Sequence, residues 1–195
     1  MRFTRVRGLV AVSGASIMII HSANAQLLPV DKNQQAAEIF NKWCLKANLD
    51  LTAIDRLATE ANYEVQEDRS IPMPNGQFYR QKNWLIPIGS GEAPILLSSN
   101  DVTKGPLHVL GCGIYGPELD GTKMEILLSK LERMGQPTKH PQGPQGTTVW
   151  WRAHVGSHAP SDDTEVMLSR GIPQMPGVSV NLIYKVHSEE KAASP

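Results

Sequence analysis

Between residues 107 and 115, apolar side chains occupy both alternating sets of positions. Leu107, Val109 and Tyr115 fall on one side of the pleat; His108, Leu110, Cys112 and Ile114 fall on the other. A strand apolar on both sides calls for cover on both, so Gly105 to Gly116 predicts a central strand around which the chain is arranged. Upstream the period changes to that of a helix. Ala36, Phe40, Trp43, Cys44 and Ala47 form one stripe after a cap at Asp31 or Asn33, predicting a helix that runs to about Asn48. Thr52-x-x-Asp55 then has the form of a capping box, and Ile54, Leu57, Ala58 and Ala61 give a second helix its buried face.

A proline loop, Ser70 to Gly76, separates this helix from two predicted strands, Gln77 to Ile88 and Pro94 to Ser98. Asn100 and Asp101 are expected to turn the chain into the central strand. The pattern then recurs. Thr122-x-x-Glu125 opens a helix with Met124, Leu127, Leu128, Leu131 and Met134 on one stripe, followed by a Pro/Gly loop from 135 to 146. Strands follow at Thr147 to Val155, Glu165 to Arg170 and Val178 to His187, the last after a third proline loop, Ile172 to Gly177. Thr52 and Thr122, Gly89 and Gly156, and Ile114 and Ile183 stand 70, 67 and 69 residues apart. This order reads as an αβββ unit used twice, with one extra helix in front. Two such units predict an α+β fold with a mainly antiparallel six-stranded sheet and the second and third helices on one face.

The alternation also predicts which surface is left uncovered. In the last strand Val178, Val180, Leu182, Tyr184 and Val186 share the core side, opposite Ser179, Asn181, Ile183, Lys185 and His187. Val149, Trp151, Ala153 and Val155 likewise alternate with Thr148, Trp150, Arg152 and His154. In the first unit the set containing Cys112 is apolar, and the N-terminal helix is its expected cover. No equivalent helix precedes the second unit, whose outer face is therefore expected to expose Trp150, Arg152, His154, Asn181, Lys185 and His187. A tryptophan beside cationic and hydrogen-bonding groups suits stacking on a ring, an anionic group, or a protein partner.

The first 25 residues carry a different pattern. Arg2, Arg5 and Arg7 precede an apolar run from Gly8 to Ile20 that is too short to span a bilayer, and Ala23 and Ala25 stand at the −3 and −1 positions of a cleavage site. Export with cleavage between Ala25 and Gln26 is expected, leaving 170 of the 195 residues in a periplasmic or secreted product with no membrane span. The organisation is then a signal peptide at 1–25, a single domain at 26–187 and a frayed polar tail at 188–195. Without the three leader arginines, 16 Lys and Arg stand against 19 Asp and Glu, which argues against nucleic-acid binding. Cys44 and Cys112, the only cysteines, are expected to pair in an oxidising compartment and to staple the first helix to the sheet. The rival reading, a reactive Cys112 between Gly111 and Gly113, lacks a neighbouring base.

Motifs for catalysis are sparse. There is no Gly-x-Ser-x-Gly, no Gly-x-Gly-x-x-Gly opening a helix, no Walker loop and no H-E-x-x-H. His154, His158, Asp162 and Asp163 are the residues a metal site or hydrolase would use, but the Gly-Ser between the histidines places them on a hairpin loop and not on a helix. His140 is expected in a loop. The leading expectation is an exported, non-enzymatic binding or interaction protein of the cell envelope, without a cofactor, that takes an envelope protein or a small polar or anionic ligand. Its alternatives are a small periplasmic hydrolase or metal-binding protein using those four residues, and an inhibitor acting through a rigid proline loop.

Overall fold

The computed structural model describes residues 31–74, 77–89, 91–105, 107–140, 146–155, 164–172 and 175–187. The expected signal peptide, the polar tail and His158, Asp162 and Asp163 lie outside the described residues. Among the described residues three α-helices, α1 (Lys32–Phe40), α2 (Leu51–Glu60) and α3 (Gly121–Leu128), accompany eight strands. The strands are β1 (Glu64–Pro72), β2 (Phe78–Ile86), β3 (Ile95–Lys104), β4 (Leu107–Gly116), β5 (Thr138–His140), β6 (Thr147–Arg152), β7 (Thr164–Ile172) and β8 (Met175–His187). They form one antiparallel sheet in the order β1-β2-β3-β4-β8-β7-β6-β5. The order is palindromic: each half is a helix followed by a four-stranded meander, and the halves join where β4 pairs with β8.

The sheet is eight-stranded, not six-stranded, because both edges escape the hydrophobic pattern. β1 reads Glu-Val-Gln-Glu-Asp-Arg-Ser-Ile-Pro and is exposed along nearly its whole length. Charge and a terminal proline suit an edge that must not recruit another strand; its last three residues, Ser70 to Pro72, belong to this strand and not to the expected proline loop. β5 has only three residues, Thr138 to His140, so His140 lies on an edge strand. Asn100 and Asp101 do not turn the chain; they sit inside β3, paired with Gly111 and Leu110.

The helix starts follow local chemistry shared by the two halves. Asp50 accepts from the backbone N–H groups of Thr52 and Ala53 at 3.0 Å each. Asp120 accepts from those of Thr122 and Lys123 at 2.8 and 3.0 Å. The aspartates two residues before the threonines are thus the N-caps, and the capping-box reading of Thr52 and Thr122 is corrected by two positions. Helix α1 starts on Asp31, which accepts from Asn33 N–H at 2.8 Å, and ends in a π-helical turn, Asn41–Leu45. Asn48 and the buried Leu49 follow with φ of 56° and 57°, a left-handed corner that turns the chain into α2.

All three helices lie on one face of the sheet, and register shows why. Lys82, Ser99, Cys112, Leu182, Val166 and Trp151 are successive cross-strand partners, so their side chains share a face. The disulfide from Cys44 places the π-helical turn there. Lys82 Nζ meets Asp55 of α2 at 2.6 Å, and Trp151 Nε1 donates to Ser129, just past α3, at 3.3 Å. The neighbouring row, Trp84, Leu97, Ile114, Val180, Leu168 and Val149, is buried in the same core as Phe40, Ile54 and Leu128. The expectation that the N-terminal helix shields the opposite side of the first unit is therefore wrong. Cys112 and Ile114 face the common core because β4 sits beside β8, with Cys112 opposite Leu182. Among the described residues, the reverse face carries no helix on either half.

Candidate functional site

The uncovered face can be followed along its own cross-strand rows. Asn83, Ser98, Gly113, Asn181, Met167, Trp150 and Thr138 are successive partners from β2 to β5. Gln81, Asn100, Gly111, Ile183, Glu165 and Arg152 make the next row. The middle of the face is thus amide, hydroxyl and glycine, and the β6 end carries an aromatic ring and charge.

At that end lies a cavity of about 630 Å³ lined by Gly135, Gln136, Thr138, Trp150, Trp151, Arg152, His154 and Glu165. Its formation follows from the local sequence. In β6, Val149 and Trp151 are fully buried on the helix side, so alternation turns Trp150 and Arg152 outward. The chain from 133 to 136 runs alongside. Gly135 N–H donates to Arg152 C=O at 2.8 Å, and His154 N–H donates to Arg133 C=O at 2.9 Å. That strip is anchored from behind, because Arg133 Nη1 donates to Leu45 C=O at 2.7 Å and to Asn48 Oδ1 at 2.6 Å. The trough wall is therefore braced against the corner that follows α1. Glu165, opposite Arg152 on β7, also meets Lys185 Nζ, two residues along β8 from its row partner Ile183, at 3.5 Å, so the charge at this end is of both signs and not purely cationic.

Of the six residues expected on an open face, Trp150, Arg152 and His154 line this one trough. Asn181 lies two strands away, opposite Met167, which is itself opposite Trp150. Lys185 joins the trough only through Glu165. His187 is at the far end of β8, opposite Leu107 and about 20 Å along the strand from Asn181. Glu165, Gln136 and Thr138 were not anticipated as site residues. Glu165 was legible from its place in a strand beside β6, whereas Gln136 and Thr138 sit in what reads as a Pro/Gly loop. No group of three or more His, Cys, Asp or Glu able to hold a metal ion occurs among the described residues.

A second hollow, about 230 Å³, lies in the middle of the same face over β4 and β8, lined by Ser98, Asn100, Gly111, Gly113, Asn181 and Ile183 among others. The two glycines create it. A Cβ at Gly111 would collide with Asn100 Oδ1, and one at Gly113 with Asn181 Oδ1. Asn181 Nδ2 donates to Ser179 Oγ at 2.6 Å.

No helix among the described residues is long and apolar enough to cross a membrane, and the Cys44–Cys112 disulfide is formed. No protein-family model, no curated protein and no solved structure matches the chain.

Proposed function

We propose that this chain is an exported, non-enzymatic binding protein of the cell envelope that takes its ligand on the uncovered sheet face, in the trough beside β6. One observation carries the reading: Trp150, Arg152 and His154 line a single cavity of about 630 Å³ on a face that no helix of the described residues occupies. The size falls in the range of small-molecule sites, and the lining pairs an aromatic ring with a few polar groups that can fix orientation. The mixed charges of Arg152, Glu165 and Lys185 favour a polar ligand over a polyanion. The N-terminal leader and the disulfide are in keeping with an oxidising, extracytoplasmic setting. The palindromic strand order supports a helix-plus-four-strand unit used twice, with the trough a property of the second copy.

The test is to immobilise the chain from Gln26 onward and expose it to low-molecular-mass and protein fractions of a native envelope extract. Trp150→Ala and Arg152→Ala should each lose the retained component while the melting temperature stays within about 2 °C. Retention unchanged in both variants rules out the trough as the site.

A further inference from the structure

We infer that the ligand of this face is a linear, uncharged oligosaccharide, with one sugar ring stacked on Trp150 and another seated in the central hollow against Asn100 and Asn181. The inference rests on the reading of the face as a binding surface and adds the ligand class.

The argument begins with Gly111 and Gly113. Both stand in the interior of β4, a central strand, where glycine is destabilising because it loses the most backbone freedom on folding and packs nothing. Neither has a positive φ, so the backbone conformation does not call for glycine. What the missing Cβ atoms provide is room: Asn100 and Asn181 lie down into it, their carboxamide oxygens where side chains of β4 would otherwise project. The result is a recess floored by backbone and walled by two carboxamides and the Ser98 hydroxyl, with no ionisable side chain in its lining. The Asn100 amide makes no hydrogen bond among the described residues, and Asn181 spends only its Nδ2 on Ser179.

A carboxamide offers a donor and an acceptor a fixed distance apart. Here the oxygens are turned down against Gly111 and Gly113, so the hollow offers the Asn100 Nδ2 as donor and the Ser98 hydroxyl as acceptor. A sugar hydroxyl, both donor and acceptor, answers that pair, whereas a carboxylate or phosphate finds no cationic side chain in the lining. The hollow and the trough also share one cross-strand row, Gly113–Asn181–Met167–Trp150. Three strand spacings separate Gly113 from Trp150, about 14 Å. That span suits a chain of three or four rings lying across the strands. A ring face over the Trp150 indole adds the stacking contact that amides cannot provide.

The experiment uses the full mature chain with cellohexaose, chitohexaose and maltohexaose as probes, read by calorimetry and by tryptophan fluorescence. The expected result is saturable binding of at least one hexamer, with the corresponding disaccharide much weaker. Trp150→Ala should abolish that binding, and Asn100→Ala and Asn181→Ala should each weaken it about ten-fold. Gly113→Val, which fills the hollow, should abolish it too; if that variant fails to fold, the two asparagine variants carry the test alone. Hexamer binding that needs Trp150 but ignores both asparagines overturns the central subsite. Binding of none of the three sugars, while an extract component is still retained through Trp150 and Arg152, overturns the saccharide class and leaves the binding reading intact. If nothing at all requires Trp150 or Arg152, both fail.

Discussion

Removing the disulfide tests the architecture most directly, because one bond joins the first helical segment to the middle of the sheet. Cys44 lies in the π-helical turn and Cys112 in β4, both essentially inaccessible to solvent, and 68 residues separate them. The closed loop contains α2 and the three strands β1 to β3, so the unfolded chain loses most of its first half's freedom to this link. In the chain-entropy treatment a loop of that length removes about 15 cal/mol/K from the unfolded ensemble, or about 4 kcal/mol at room temperature. For a domain of this size each kcal/mol moves the melting temperature by about 2–4 °C. The double variant Cys44→Ala/Cys112→Ala should therefore melt about 10–15 °C below the oxidised protein. Urea titration of the variant, and of the parent with and without reductant, separates the covalent effect from the loss of two buried sulfurs. Only the parent's dependence on reductant belongs to the bond. A fall of less than about 3 °C would show that packing of Phe40, Trp43 and Leu45 already holds α1 in place and that the staple reasoning is wrong.

Three further outcomes follow from named contacts. Lys82, whose side chain is 15% exposed, bridges Asp55 of α2 at 2.6 Å and Asp68 of β1 at 3.3 Å. Lys82→Met should cost about 1–2 kcal/mol in urea unfolding, the two partly exposed carboxylates softening the loss; an unchanged midpoint would refute the bridge. The hydrogen bond from Lys82 to Asp55, opposed by burial, raises the lysine's pKa, so its share of stability is full at neutral pH and is lost only as pH rises through the raised value. Asp120 is held below the ordinary carboxylate range by the N–H groups of Lys123 and Thr122, and Asp31 by its bonds to Asn33. Their share is present above about pH 4 and lost as pH falls through the lowered values, so the acid side of a Tm–pH curve should flatten in Asp120→Asn. Finally, Trp84 Nε1 is buried without a hydrogen-bond partner among the described residues, whereas Trp151 Nε1 has Ser129. Trp84→Phe should therefore cost about 1 kcal/mol less than Trp151→Phe in paired denaturant melts; equal costs would contradict the difference.

Alternation made the inner strands legible. β6, β7 and β8 emerge from period-two apolar sets, and the cysteines announced their own pairing. Burial on one face accounts for Trp151 facing in and Trp150 facing out without any coordinate. The edges were hidden for a physical reason: a strand paired on one side only, and exposed over most of its length like β1, needs no apolar face, so Glu64 to Pro72 carries no signal of that kind. The mistaken cover for Cys112 came from reading β4 without its neighbour. Once β4 pairs with β8, Cys112 must share the side of Leu182, but which strands are neighbours is a long-range fact that local periodicity does not hold. Half of the trough was hidden likewise. Gln136 and Thr138 reach it only because the strip after α3 is laid beside β6 by Gly135 and by the Arg133 anchor.

The palindrome separates what the scaffold requires from what it does not. Row by row, Trp84, Leu97 and Ile114 in one half correspond to Trp151, Val166 and Leu182 in the other, and Asp50 corresponds to Asp120 at the helix starts. Features present in both halves are explained by folding alone: a buried aromatic under each helix and a cap on each helix. Departures from the symmetry need a separate cause. Two of them have one inside the fold, since Cys112 answers Cys44 and Lys82 answers Asp55 and Asp68. The trough departs as well. Where the second half has Trp150 and Arg152, the same register positions in the first half hold Asn83 and Leu85. Trp150 and His154 make no side-chain hydrogen bond among the described residues, and folding gains little from leaving a large aromatic only half-buried on an open face. On the reading proposed above, the ligand of the face supplies that cause, and exchanging Trp150 and Arg152 for their counterparts should leave the melting temperature nearly unchanged while removing retention of the ligand; His154 is left in place because its backbone N–H holds Arg133 C=O.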